Sequence, residues 1–424
     1  MNMKDWILPV CEGAAAAVSL VLMGIFGVKL LIRFVRVLRG REAADGLEER
    51  RSFAPGEELC GAALAALLSR LAVYLLAYAM YRICGGADGI WASLEPLWSH
   101  WDTRHYVGIA QDGYTAVGDE RLRLVFFPLY PMLMRAASGL TGGSLFAGGL
   151  LVSLVSTAFC GALLYDLCCL HGGKRTARLA LSYFLLSPLS VFLGCAYTEA
   201  LFICLTLAAV WLMRRNHPWL AALCGMLSAM TRMPGVIVAG LYIIALAGRI
   251  GKKQVSCKDV LTCVLQVLIV FSGLFVYWGI NWAVTGDAFT YMVYQKENWF
   301  QEPGSFWGST ANTMHYFLTT YGDGDWLYTW GFQMLCLLLI YGLMARYEHL
   351  LPFDLAAYGF VYIAVVLSPT WLLSAPRYLY AFCALPLLMA RLPLSRRGHG
   401  VLLALSSAML IVWMYGYTIA VEVL

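Results

Sequence analysis

Apolar runs separated by short polar segments make up most of the chain. A membrane-spanning helix needs roughly 20 consecutive apolar residues, or somewhat fewer where the helix is broken. The pattern therefore predicts an all-α polytopic membrane protein with about 12 transmembrane helices. We place them near residues 9–32, 59–83, 144–168, 177–195, 199–214, 218–232, 234–248, 258–283, 326–345, 354–370, 376–391 and 400–420.

The connecting segments alternate in charge. One set is basic and comprises 33–58, 171–178, 214–215, 249–258, Arg346 and 391–397. The other set carries acidic and aromatic residues, and its two large members are 84–143 and 284–325. Because basic segments stay on the cytoplasmic side, the two large loops are predicted to lie outside, with the N-terminus of the first span.

Composition agrees with this topology and excludes other classes. The chain of 424 residues is 61% apolar and 13% charged, whereas soluble domains are about 25% charged. The net charge of +5 reflects membrane topology and gives no reason to expect nucleic-acid binding. Most of the 13 cysteines fall inside apolar runs, where they act as small hydrophobes, and no zinc-ligand pattern is present.

The first large loop holds the most polar run beside a predicted span. Its pattern predicts two surface helices, over 100–112 and around 126–140, the second with Pro131 in its first turn. Within the first helix Asp102, His105 and Tyr106 are neighbours at i, i+3 and i+4. Asp102 fits two roles equally well by spacing: a general base for an acceptor hydroxyl, or the acidic partner of a capping box with Ser99.

Three further polar groups fall at the outer ends of predicted spans. Tyr197 and Glu199 open one span, where Glu199 is either a site residue or an acid favoured by the helix dipole. Arg232 either binds an anion such as a lipid phosphate or pairs with Glu199. Arg377 is also predicted to lie outside, and two arginines with a carboxylate suit a reaction in which a phosphate departs.

The second large loop is rich in aromatic residues, and Trp299 is one of them. Aromatic rings stack on sugars, and they also form belts at membrane interfaces without any ligand. The belt is the favoured role for most of them.

Motifs in these segments resemble the PIG-V type of GPI mannosyltransferase and its bacterial relatives. The resemblance runs from about residue 60 to about residue 400. Its most specific part combines Trp101-Asp102-x-x-His105-Tyr106 with Phe126-Phe127-Pro128-Leu129-Tyr130-Pro131. The further matches, in the same order along the chain, are Tyr197-Thr198-Glu199, Thr231-Arg232, Gly286-Asp287-x-Phe289, Gln295, Trp299 and Arg377-Tyr378.

The resemblance implies a GT-C fold and an enzyme that moves a sugar from a polyprenyl-phosphate donor to a lipid, glycan or protein acceptor. Mannose is the family default, and transfer is expected to be inverting and independent of a divalent metal. The family's catalytic carboxylate maps onto Asp102. We assign Arg232 and Arg377 to the donor phosphate. The expected substrate-binding residues are His105, Tyr106, Tyr197, Glu199, Gln295, Trp299 and Tyr378.

The chain departs from the family pattern at its N-terminus. An extra span and a cytoplasmic linker, 1–58, precede the expected glycosyltransferase domain, 59–424. The chain is short and shows no endoplasmic-reticulum retention signal, so we expect a bacterial plasma membrane with the active site on the outer face. The alternatives are a transporter or flippase for lipid-linked sugars and a non-enzymatic assembly partner. The lack of similar halves and the clustering of polar residues at one face count against the transporter.

Overall fold

The protein is described here by a computed structural model that covers residues 3–46, 53–323 and 326–419. Its α-helices follow the apolar runs. They are α1 Met3–Leu38, α2 Gly56–Ile83, α3 Ile90–Trp98, α4 Thr103–Asp112, α5 Leu129–Ser138, α6 Leu145–Leu185, α7 Glu199–Arg214, α8 Pro218–Ala229, α9 Ala239–Gly251, α10 Cys257–Thr285, α11 Thr290–Trp299, α12 Phe306–Thr319, α13 Phe332–Tyr347, α14 Phe353–Val366, α15 Ala375–Tyr380, α16 Leu385–Ala390 and α17 Arg396–Thr418.

Short helices of tighter or looser pitch extend or interrupt this set. Four are 3₁₀-helical: Asp119–Val125, Pro188–Gly194, Met233–Val238 and Glu348–Leu350. One, Leu327–Gly331, is π-helical and leads directly into α13. No β-strand occurs in the described ranges, so the predicted all-α polytopic membrane protein is confirmed.

The described residues contain fewer long apolar helices than the twelve predicted spans. Seven helices of the described residues are long and apolar enough to cross a membrane, and an eighth crossing results if a bent pair counts as one span. That pair is Pro188–Gly194 with α7, which meet at 95°. Two predicted spans, 218–232 and 354–370, form helices of only 12 and 14 residues. At 1.5 Å per residue, 14 residues reach about 21 Å, well short of a bilayer core.

Two other predicted spans are not single helices, because proline interrupts them. The span 177–195 is divided between the end of α6 and the 3₁₀ segment that begins at Pro188. The span 376–391 is divided into α15 and α16, with Pro386 at the start of α16. The predicted boundary between 144–168 and 177–195 survives as a break inside α6 at Gly173, whose φ is +78°.

The helices connect two chemically different ends of the bundle. The end that carries α3, α4, α5 and α11 is called the loop end, and the opposite one the basic end. The helix α7 joins the two ends, since it begins at Glu199 and ends at Arg214. Arg214 is buried at the basic end, where its Nη2 lies 2.7 Å from Asp354 Oδ2. The two large predicted loops thus contain ordered helices, including α4 and α5 near their predicted positions.

The extra N-terminal helix packs against the C-terminal half of the molecule. It contacts α12, α13 and α14, and Glu12 pairs with His315 of α12 at 2.8 Å. The predicted linker 33–58 is described except for residues 47–52, which lie outside the described residues. The division of the chain into 1–58 and 59–424 stays a prediction.

Candidate active site

A cavity of about 430 Å³ opens at the loop end. Eight of the ten predicted site residues line it, although they come from segments almost 300 residues apart in sequence. They are Asp102, His105, Tyr106, Arg232, Gln295, Trp299, Arg377 and Tyr378. The other two, Tyr197 and Glu199, are buried and contact residues of the cavity wall from behind.

Four charged side chains form a chain of ion pairs across one wall. Arg377 Nη2 donates to Asp102 Oδ2 at 2.9 Å, and Arg377 Nε lies 2.9 Å from Glu199 Oε1. Arg232 Nη1 donates to the same Glu199 oxygen at 2.7 Å. The signs alternate along this chain, so two cations are held close together by two carboxylates.

Glu199 is the most deeply buried member of the chain. Its side chain is 1% exposed, against 8% for Arg377, 15% for Arg232 and 22% for Asp102. One carboxylate oxygen serves both arginines, and the other has no hydrogen-bond partner among the described residues. Glu199 therefore fixes the positions of Arg232 and Arg377, and the ion pair with Glu199, one of the two alternatives for Arg232, is present.

The capping role considered for Asp102 is wrong. Asp102 occupies the N-cap position of α4, but its backbone is helical, with φ −68° and ψ −23°, and its side chain makes no cap hydrogen bond. A capping side chain requires an extended backbone at that position. Ser99 instead ends α3. The carboxylate of Asp102 is turned towards Arg377, on the cavity wall.

Tyr197 supports the turn that precedes α4. Its hydroxyl donates to the His100 carbonyl at 2.8 Å and accepts from the Asp102 backbone N–H at 3.4 Å. Between these two residues Trp101 has a φ of +45°, a left-handed conformation that is uncommon outside glycine. Tyr197 thus holds a constrained turn that directs Asp102 towards the cavity.

An aromatic wall faces the ion pairs. The His105 ring stacks on Phe126 at 4.7 Å between centroids, and the edge of Trp299 approaches both rings at 6.0 Å and 5.7 Å. Burial lowers the pKa of His105, and the nearby carboxylate of Asp102 opposes this only in part. A lowered pKa favours the uncharged form of the His105 ring.

Two tyrosines complete this part of the cavity. Tyr106 packs edge-on against Phe126 and Tyr130, and burial raises the pKa of its hydroxyl. The guanidinium of Arg232 lies 4.8 Å from the centre of the Tyr378 ring, a cation–π contact that orients the arginine without neutralising it.

The helix α11 supplies an amide-rich wall. Gln295 Nε2 donates to Gln301 Oε1 at 2.6 Å, because Phe300 with φ +53° folds the chain back after the helix. Asn298 and Tyr291 line the cavity on the same side. Neither residue was predicted to belong to the site, although their offsets of three and four residues from Gln295 place all three on one helix face.

Arg104 also lines the cavity and is exposed. Unlike those of Arg232 and Arg377, its guanidinium makes no ion pair or hydrogen bond with the part of the chain that the structure describes. The two carboxylates offset the charges of the two paired arginines. Arg104 therefore gives the cavity a net positive charge, which favours an anionic ligand.

No group of three or more His, Cys, Asp or Glu side chains with a metal-binding arrangement occurs in the described part of the chain. Asp102 and Glu199, the two acids of the site, are already bonded to arginine.

The fold and the site together define a class: an all-helical membrane protein with a charged, aromatic-lined cavity at one end of its bundle. Comparison with known sequences makes the assignment narrower. The family described as Mannosyltransferase (PIG-V) matches residues 85–296, which is half of the chain. The chain belongs to this family.

Curated relatives carry one shared description. The GPI alpha-1,6-mannosyltransferase 2 of Mus musculus is 32% identical over 170 residues, which cover 38% of this chain and 34% of the relative. The Homo sapiens protein of the same name is 33% identical over 159 residues, covering 34% and 31%. The match thus spans about a third of the length of these relatives. No solved structure matches the chain.

The burial of Glu199 leads to a prediction about stability. Glu199→Gln should lower the thermal unfolding midpoint of the purified protein markedly, because it leaves Arg232 without a carboxylate. Breaking a buried pair costs about 3–5 kcal/mol. Asp102→Asn is the matched control, since this carboxylate is 22% exposed and should shift the midpoint less. An equal shift in the two variants would contradict the anchoring role of Glu199.

Proposed function

We propose that the protein transfers a mannosyl group from a polyprenyl-phosphate donor to an acceptor hydroxyl in this cavity. The observation that carries the proposal is the pairing of Asp102 with Arg377 on the cavity wall, beside Arg232. Family membership supports the sugar and the reaction class. The acceptor is a lipid, a glycan or a protein.

The charge distribution supports an active site on the non-cytoplasmic face. Free and paired cations concentrate at the end opposite the cavity, for example Arg215, Arg249 and Lys252. Positively charged segments remain on the cytoplasmic side of a membrane. The loop end, with its cavity, then faces outward. A GT-C architecture and a bacterial plasma membrane stay predictions from the resemblance.

The arginines suit the donor phosphate. A polyprenyl-phosphate sugar is a phosphodiester with one negative charge, and a second charge develops on the phosphate as the bond to the sugar breaks. Arg232 and Arg377 are held close together by Glu199, and Arg104 adds an unpaired cation. Fixed donors of this kind stabilise the charge that appears only in the transition state.

The transfer balances without a further reactant. The acceptor oxygen attacks the anomeric carbon from the face opposite the phosphate, its proton passes to Asp102, and the carbon–oxygen bond to the phosphate breaks. The new glycosidic bond has inverted configuration, and polyprenyl phosphate leaves with the electron pair. Asp102 needs only to receive a proton late in the reaction, since the alcohol becomes acidic as the bond forms.

The pairing of Asp102 with Arg377 implies an order of events. Asp102 is held by Arg377, so the bonded carboxylate oxygen is not free to accept a hydrogen bond from an acceptor hydroxyl. A donor phosphate competes for the same guanidinium and so releases Asp102 for the acceptor. We propose that donor binding precedes productive acceptor binding.

The sugar ring is assigned to the space between the aromatic wall and α11. His105, Phe126 and Trp299 present ring faces and edges, and Gln295 with Asn298 offers amide donors and acceptors. Stacking combined with a few directed hydrogen bonds is the usual pattern for binding a neutral polar ligand.

Replacing the carboxylate gives the direct test of the catalytic assignment. Asp102→Asn should reduce transfer of labelled mannose from polyprenyl-phosphomannose by about 100-fold or more, the usual contribution of a general base. The assay measures free polyprenyl phosphate together with the labelled product. A folded variant that transfers sugar at the parental rate refutes the assignment, and transport without release of polyprenyl phosphate indicates a lipid-linked-sugar transporter instead.

Neutralising the unpaired cation tests the donor site. Arg104→Gln should raise the KM for the donor by roughly threefold to tenfold, the equivalent of about 1 kcal/mol for a partly exposed ion pair, with a smaller change for the acceptor. Arg135→Gln on α5 is the matched control, because Arg135 is exposed but does not line the cavity. Equal effects from both variants would mean that Arg104 acts only through the overall electrostatic potential of the protein and not as a donor-binding residue.

Removing divalent cations tests the expected metal independence. Transfer by the purified protein should be unchanged in excess EDTA, because arginines take the place of a metal at the departing phosphate. Loss of transfer in EDTA, followed by recovery with added Mg²⁺ or Mn²⁺, would overturn this part of the proposal.

A further inference from the structure

The segment that delivers Tyr197 and Glu199 to the site is an interruption of regular helix. The α6 helix ends at Leu185, the 3₁₀ turn Pro188–Gly194 follows, and α7 begins at Glu199 after a bend of 95°. Every residue from Pro188 to Glu199 is buried. Non-helical backbone inside a membrane protein persists only where other groups satisfy its carbonyls.

Side chains from four other helices satisfy those carbonyls. Each of seven carbonyls around the interruption accepts a hydrogen bond from a side chain of α2, α6, α15 or α17, or from within the segment. The pairs, donor first, are Tyr380 to Phe184, Arg70 and Ser190 to Leu185, Ser406 to Leu186, Arg70 to Ser190, Thr157 to Leu193, Tyr74 to Gly194, and Ser153 to Tyr197.

Arg70 differs from the other donors. It lies midway along α2 and is fully buried, with 0% exposure. Its guanidinium donates to the Leu185 carbonyl at 3.2 Å and to the Ser190 carbonyl. It thus joins the end of α6 to the start of the 3₁₀ turn. Arg70 makes no ion pair with a carboxylate in the described ranges, and a buried cation of this kind is costly to retain in a membrane.

A second side chain of α2 holds the other end of the turn. Tyr74 is one helical turn beyond Arg70, and its hydroxyl donates to the Gly194 carbonyl at 2.6 Å. The same face of α2 therefore contacts both ends of Pro188–Gly194. The chain from Gly194 to Glu199 is only five residues long, so the depth of Glu199 follows from where α2 fixes this turn.

We infer that Arg70 is a positioning residue for the active site, acting through the 3₁₀ turn on Glu199 and hence on Arg232 and Arg377. This inference rests on the proposed function for its kinetic readout but not for its structural one. An arginine suits the role because its planar fork donates to two carbonyls at once, which a lysine ammonium does less rigidly.

The contacts of Arg70 with the Leu185 and Ser190 carbonyls are called the clamp. A structural experiment tests the clamp without any assay of transfer. Hydrogen exchange of the backbone amides in 188–198 should rise in Arg70→Met and rise less in Arg70→Lys. Arg214→Met is the matched control, because Arg214 is also a buried arginine, but it pairs with Asp354 at the basic end. If exchange in 188–198 is unchanged in Arg70→Met, or rises as much in Arg214→Met, the clamp is refuted.

A kinetic cycle tests whether the clamp acts through Glu199. Transfer at saturating donor should fall by about 10-fold to 100-fold in Arg70→Met, as expected when a shift of about 1 Å displaces site residues. Arg70→Lys should recover part of the rate. In a Glu199→Gln background, Arg70→Met should change the remaining rate by less than about twofold.

The outcomes separate the two proposals. Full additivity of the two substitutions overturns the claim that Arg70 acts through Glu199. A parent protein that transfers no sugar, combined with raised exchange in Arg70→Met alone, refutes the proposed function and leaves the clamp intact.

Discussion

The buried carboxylate of Glu199 is the constraint on which the rest of the site depends. Two guanidinium groups cannot remain close together in a low-dielectric environment unless an anion lies between them. One oxygen of Glu199 lies within 2.9 Å of both Arg232 and Arg377, and Arg377 in turn holds Asp102. In the proposed mechanism these two cations bind the donor phosphate, and Asp102 becomes available to the acceptor when the phosphate binds.

Keeping Glu199 in this position requires irregular backbone inside the membrane. The broken segment before α7 brings Glu199, the first residue of that helix, against Arg377 of α15 and against Arg232, which directly precedes the 3₁₀ helix Met233–Val238. The side chains that donate hydrogen bonds to the carbonyls of the broken segment, above all Arg70, are therefore required for the geometry of the site. Buried polar groups outside the cavity, such as Arg70, thus help to position the charged side chains of the cavity.

Much of the site could be predicted from sequence, because its residues are polar groups beside apolar runs. Asp102, Glu199, Arg232 and Arg377 stand out in this way, and the structure brings all four together. The choice between a capping role and a catalytic role for Asp102 could not be made from sequence, since both share the same spacing. The backbone angles and hydrogen bonds of the structure exclude the capping role. Several predicted spans correspond to short or divided helices, because hydropathy does not distinguish a full crossing from a short or broken helix. Arg70 was overlooked, since its carbonyl partners are 115 to 120 residues away.

We propose that a donor phosphate displaces Asp102 from Arg377. A structure of the protein in lipid nanodiscs with bound polyprenyl phosphate is the decisive test. We expect phosphate density in contact with Arg104, Arg232 and Arg377, together with an Arg377–Asp102 separation that has grown from 2.9 Å to beyond ion-pair distance. Phosphate bound elsewhere, or bound here with the Arg377–Asp102 pair intact, would contradict it.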